Sequence, residues 1–244
     1  MNRHLLGMLT PSSNTTLEPV TSAMVADVPG ASAHFGRFRV TEIALSGSAL
    51  AQFDPSGILA AAGLLADARC QVIGWSGTSS SWLGFDADRR LCELITRQTG
   101  ALACTSVLAL NEALALTGAT RLGLITPYRS DVQAAIVSNY AAEGIACTER
   151  HLGLQDNFSF SETSDEQIRC MAAEVMDQPT DTRPQALTVL CTNVRGAPLV
   201  AELEALYGVP VYDSISTVVW KALRLAGVDT RPLAPRWGRL FALA

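Results

Sequence analysis

The chain repeats itself, and the repeat limits the folds open to it more than any other feature. Leu6-Gly7-Met8-Leu9-Thr10-Pro11 returns as Leu122-Gly123-Leu124-Ile125-Thr126-Pro127, each a short apolar run ending at a Thr-Pro turn. The run QVIGWSGTS from Gln71 returns as ALTVLCTN from Ala186, an apolar stretch broken by small residues carrying hydroxyls or an amide. Leu102 to Ser106, followed by a helical stretch to Gly118, returns as Pro210 to Ser214 with a helical stretch to Gly227. The partners stand 116 residues apart from Leu6 to Leu122, 114 from Gly77 to Cys191, and 108 from Leu102 to Pro210. Three landmarks in one order at nearly one spacing describe a duplicated lobe.

Between the apolar runs lie amphipathic stretches. Ile58 to Arg69 is rich in alanine and leucine, and Pro198 to Tyr207 carries apolar residues at helical spacing between a proline start and Gly208. Short buried strands alternating with helices predict an α/β protein whose parallel sheets are flanked by helices. Residues 1–110 form one lobe in this reading, with 217–244 packing back on it, and 111–216 form the other. Ligands of open parallel sheets sit beyond the carboxyl ends of the strands. Four loops therefore face one cleft: Thr10–Asn14, Ser76–Ser81, Thr126–Arg129 and Leu190–Val194.

Composition removes several function classes. The 244 residues are 48% hydrophobic and 17% charged with net charge −5, which describes a compact protein without a basic nucleic-acid surface. No apolar run suggests a membrane span or a signal peptide, so a soluble, cytoplasmic protein, monomeric or homodimeric, is expected. His4, His34 and His151 are too dispersed for a metal site, and no GxSxG elbow marks a serine hydrolase. The six cysteines form no CxxC pair, and in a reducing compartment each defaults to a small buried hydrophobe.

Cys191 is the exception that the repeat singles out, because its loop is equivalent to the Gly77 loop across the cleft. A thiol where a strand opens into a helix meets N–H groups that favour its thiolate, and it can act as proton donor, base or nucleophile. Thr78, Ser79, Ser80 and Ser81 supply hydroxyls and N–H groups suited to a carboxylate or enediolate; ordinary helix capping is the alternative, the stronger one for Ser80 and Ser81. Tyr128 can donate a hydrogen bond. Asn14 can hold a carboxylate or cap a turn, and Arg195 can pair with an anion or stand solvated at the surface. The tryptophans, Trp75, Trp82, Trp220 and Trp237, are most simply core or lobe-packing residues.

The segments GMLTPSSNTT, GWSGTSSSWLG, ITPYRSDV and VLCTNVRG, with the ending RWGRLF, resemble the maleate isomerase and arylmalonate decarboxylase branch of the aspartate/glutamate racemase superfamily. The resemblance spans nearly the whole chain. It implies two lobes related by a pseudo-twofold axis and chemistry without a metal or organic cofactor. Racemases and maleate isomerases of this superfamily carry one cysteine in each lobe; here the first position is Gly77, which can neither attack nor accept a proton. The arrangement of one cysteine resembles arylmalonate decarboxylase. Carried over to this chain, Thr78, Ser79 and Tyr128 with the backbone of Thr192 form an oxyanion pocket, and Cys191 protonates the enediolate.

The resemblance also implies that Pro11, Ser12, Asn14, Thr192 and Asn193 face a small carboxylate or dicarboxylate substrate. Two departures, the polar Ser12-Ser13-Asn14 and Ser80 in an expected apolar place, imply a diacid more polar than an arylmalonate. The leading expectation is decarboxylation of a 2-substituted malonate. The alternatives are isomerisation or racemisation of a small diacid, and a carboxylate-binding protein without catalysis.

Overall fold

The computed structural model describes residues 3–41, 43 and 55–244. The first sheet contains β1 (His4–Pro11), β2 (Ala31–Phe38), β3 (Val72–Trp75) and β4 (Leu102–Thr105). The second contains β5 (Arg121–Thr126), β6 (Ala146–His151), β7 (Ala186–Val189) and β8 (Val211–Asp213). Every pairing is parallel, and the orders β2-β1-β3-β4 and β6-β5-β7-β8 are one topology used twice.

The repeat exposed the central strands, where burial on both faces demands unbroken apolar runs, and one edge strand of each sheet, β4 and β8. Leu6, Met8 and Leu9 of β1, and Leu122 and Leu124 of β5, are fully buried. The edge strands β2 and β6 were not signalled. Their sequences, ASAHFGRF and ACTERH, mix polar and apolar residues because much of each strand is only partly covered.

The helices cover the sheets in chain order. The first lobe has α1 (Leu17–Ala26), α2 (Pro55–Asp67), α3 (Ser80–Leu83), α4 (Asp86–Thr99) and α5 (Ser106–Thr117). The second has α6 (Ser130–Ala142), α7 (Asn157–Phe160), α8 (Asp165–Met176), α9 (Val200–Tyr207) and α10 (Ser214–Leu225). Two boundaries differ from the sequence pattern. α2 ends at Asp67 rather than Arg69, which adopts φ of 57°. Pro198 belongs to a tight 3-10 turn, Ala197–Leu199, that leads into α9.

Equivalent residues start the last helix of each lobe. Thr105 Oγ1 accepts the N–H of Leu108 at the start of α5, and Asp213 Oδ1 accepts those of Ile215 and Ser216 at the start of α10. Such caps satisfy N–H groups that a helix start leaves unpaired. α10 leaves the second sheet and lies across α1, α5, β3 and β4 of the first lobe. Its Thr217 hydroxyl donates to the carbonyl of Ser106 at 2.9 Å. The tail beyond α10 touches both lobes: Trp237 Nε1 donates to Asp27 after α1, and the Arg239 N–H donates to Glu204 of α9. No helix among the described residues is long and apolar enough to cross a membrane.

Candidate active site

The four loops at the carboxyl ends of the strands meet around a small cavity of about 20 Å³. Pro11, Gly77, Thr78 and Ser79 reach it from the first lobe, and Tyr128, Cys191 and Thr192 from the second. Sequence reasoning missed Val40, Ile43, Trp75, Trp82 and Asn157 in its wall. Val40 and Ile43 arrive on a strap that crosses to the second lobe, where the Ile43 N–H donates to the Gln155 carbonyl and the Asn157 N–H to that of Thr41. Trp75 carried a readable signal. It stands two residues before Gly77, and alternate residues of an extended chain share a face.

Cys191 is buried, and the N–H of Asn193 donates to its sulfur at 3.4 Å. Burial pushes the thiol up to about 11, further raised by the charge of Asp213, while Tyr128 and the N–H groups of Asn193 and Val194 pull it down. Burial wins. The N–H groups of the loop favour the thiolate, but burial outweighs them and favours the thiol at neutral pH.

Opposite lie the hydroxyls. Thr78 Oγ1 and Tyr128 Oη are 2.7 Å apart in the buried site. Burial raises the Tyr128 phenol well above its usual value, and the charge of Cys191 raises it further, so the ring oxygen stays a donor. A chain in which Thr78 donates to Tyr128 and Tyr128 to the sulfur satisfies all three groups. The N–H groups of Gly77, Thr78, Ser79, Cys191 and Thr192 donate to no acceptor among the described residues. Donors left unspent beside a small, largely apolar cavity are what an oxyanion pocket requires. No Lys or Arg stands among the described residues of the wall, so negative charge there meets dipoles rather than a counter-ion.

Several residues expected at the substrate serve the lobe interface instead. Asn193 is buried, and its Oδ1 accepts the N–H groups of Thr15 and Thr16 while its Nδ2 donates to the Asn157 carbonyl. Asn14 Oδ1 accepts the N–H groups of Thr16 and Leu17, capping α1, and its Nδ2 donates to Thr192 Oγ1 at 3.2 Å. The Thr192 hydroxyl in turn donates to the Ser76 carbonyl. Both amides are thus spent on holding the lobes together.

Ser12 is exposed, outside the cavity, and exchanges hydrogen bonds with the backbone of Val40. Ser13 donates to the Val40 carbonyl and receives a bond from Asn157. Ser80 is buried but does not line the cavity, and Ser81 folds back onto the Thr78 carbonyl. The polar residues that suggested a more polar diacid therefore point away, and the wall there is Pro11, Val40 and Ile43. Arg195 lies at the surface beside Asp165, and Arg129 beside Gln155. Among the described residues no three of His, Cys, Asp or Glu stand together as a metal-ligand set.

Two parallel α/β lobes closing on one buried thiol define a member of the aspartate/glutamate racemase superfamily of enzymes. Residues 6–241 match the family model for arylmalonate decarboxylase, and the chain belongs to that family. It is 28% identical to a maleate isomerase from Nocardia farcinica, over 97% of this chain and 94% of that one. It is 26% identical to an arylmalonate decarboxylase from Bordetella bronchiseptica over 70% of each chain. A solved structure of the Nocardia farcinica maleate cis-trans isomerase, carrying a covalent succinylcysteine intermediate, superimposes with a TM-score of 0.87. That match is 26% identical and covers 98% of both chains.

Proposed function

We propose that this enzyme decarboxylates a 2-substituted malonate. The observation that carries the reading is that Cys191 and Gly77 line one cavity, so that one lobe offers a thiol and the equivalent position of the other offers no second base or nucleophile. The bond from the α-carbon to one carboxylate breaks, CO2 leaves, and the electron pair passes into the remaining carboxylate as an enediolate. Thr78, Ser79, Tyr128 and the unspent N–H groups hold that charge. Preorganised donors in a site without bulk water act where charge develops and need no reorganisation.

Cys191 then gives its proton to the α-carbon from one face, leaving a monocarboxylate with a single configuration. The thiolate left behind accepts the Asn193 N–H and is steadied by the neighbouring Tyr128 hydroxyl until water returns a proton. An apolar wall suits the departing CO2 better than it suits a charged group.

Likeness to maleate isomerases favours a second reading, cis–trans isomerisation of maleate. It requires a nucleophile, and a thiol held at about 11 opposite a glycine is poorly suited to attack. Incubating the purified protein with phenylmalonate, methylmalonate and maleate separates the two. CO2 release from a malonate supports decarboxylation, and conversion of maleate to fumarate without CO2 release overturns it.

A further inference from the structure

The Trp75 indole borders both the catalytic cavity and a second, larger space. Its ring lies directly over Gly77: a Cβ built at position 77 would stand 2.0 Å from it. The indole is 1% exposed and tilts against Phe38 with ring centroids 5.1 Å apart. Trp75 also lines a pocket of about 230 Å³ walled by Pro55 and Ile58 of α2, Leu83, and Leu91 and Leu94 of α4. Trp75 and Ser79 line both spaces.

The volumes decide what each space can hold. The 20 Å³ of the catalytic cavity is room for about one water, so no malonate enters it as it stands. The 230 Å³ of the second pocket exceeds the roughly 150 Å³ of apolar cavity known to accept benzene. Asp88 and Arg90 place one charge of each sign in that lining, so the pocket as a whole favours neither an anion nor a cation, and the apolar wall sets its preference.

We infer that Trp75 is a gate and the specificity-determining residue of this site. With the indole turned aside, the two spaces join. The pocket then takes an uncharged aryl or branched-alkyl substituent of the substrate, while its carboxylates stay at Thr78, Ser79 and Tyr128. Gly77 gives the closed gate its seat, since any side chain there would displace the ring. The chemistry of the substrate rests on the decarboxylase reading; the shape of the site does not.

The test compares Trp75→Leu and Trp75→Phe with the unaltered protein. Binding of phenylmalonate and methylmalonate is measured by calorimetry in a Cys191→Ala background, and turnover of both is measured with Cys191 intact. Removing the indole should raise the preference for phenylmalonate over methylmalonate about tenfold in Trp75→Leu, and less in Trp75→Phe. A preference unchanged in both variants overturns the gate, even where the malonates are decarboxylated. A shift in binding preference without CO2 release from any variant upholds the gate and removes the decarboxylase reading. Where Trp75→Leu does not fold, the ratio in Trp75→Phe decides. Absence of binding by every variant overturns both.

Discussion

The hydroxyls of Thr78 and Tyr128, one from each lobe, meet 2.7 Å apart in the buried cleft. Their contact exists only when the lobes are joined, so it ties assembly of the site to assembly of the fold. The Tyr128 ring is anchored independently, edge-on to Trp82 at 5.3 Å and to Phe160 at 5.5 Å between centroids. Tyr128→Phe therefore removes a donor and leaves the packing. It should lower kcat about 10²- to 10³-fold, the effect of losing one oxyanion donor, with little change in melting temperature. A kcat within a factor of two of the unaltered enzyme would show that the phenol plays no part.

The thiol form of Cys191 predicts a pH profile. A proton donor held at about 11 keeps its proton through the neutral range, so kcat should stay flat to about pH 10 and fall above it as the thiol ionises. A working thiolate would give the opposite sign, a rate rising with pH. Steady-state rates across a buffer series distinguish the two.

Asp213 predicts a pH dependence of stability. Burial raises its carboxyl from 3.8 to about 7, so the folded protein holds that proton more tightly than the unfolded chain. The stabilisation is fully present below the unfolded value of 3.8 and is lost as pH rises through about 7. Asp213→Asn keeps a capping oxygen for α10. Its melting temperature should decline less between about pH 5 and pH 8 than that of the unaltered protein. A residual slope is expected from Asp88, which burial raises to about 6. Identical slopes would contradict this account of Asp213.

Much of the fold was legible because buried parallel strands must be apolar throughout. Leu6–Pro11 and Leu122–Pro127 are recognisable as copies for that reason. The edge strands β2 and β6 escaped because partial exposure relaxes the pattern: His34 and His151, which drew attention as dispersed histidines, simply sit in them. In the site, Gly77, Thr78, Ser79 and Cys191 were legible from the equivalence of two loops, and Tyr128 from the repeated Thr-Pro turn and the family resemblance. Asn193 and Ser12 were misplaced because residue type shows what a side chain can bond, not which partner reaches it first. The Val40–Ile43 strap and the position of the Trp75 ring depend on tertiary packing, for which no periodicity exists.

Gly77→Cys would supply the thiol that two-cysteine relatives use, but the ring of Trp75 already holds that space. Overpacking should cost about 1–3 kcal/mol, a fall of several degrees in melting temperature for a chain this long. Trp75→Ala should cost less stability in the Gly77→Cys background than in the unaltered protein, because the two changes act on one contact. A Gly77→Cys protein as stable as the original would show that the ring does not rest there.

The most direct test of the central claim is the rate of CO2 release from a 2-substituted malonate by Cys191→Ala. Loss of the proton donor should reduce turnover about 10²- to 10⁴-fold while circular dichroism shows the fold retained. Turnover at the original rate by a folded Cys191→Ala protein would contradict the account, because protonation would then come from another group.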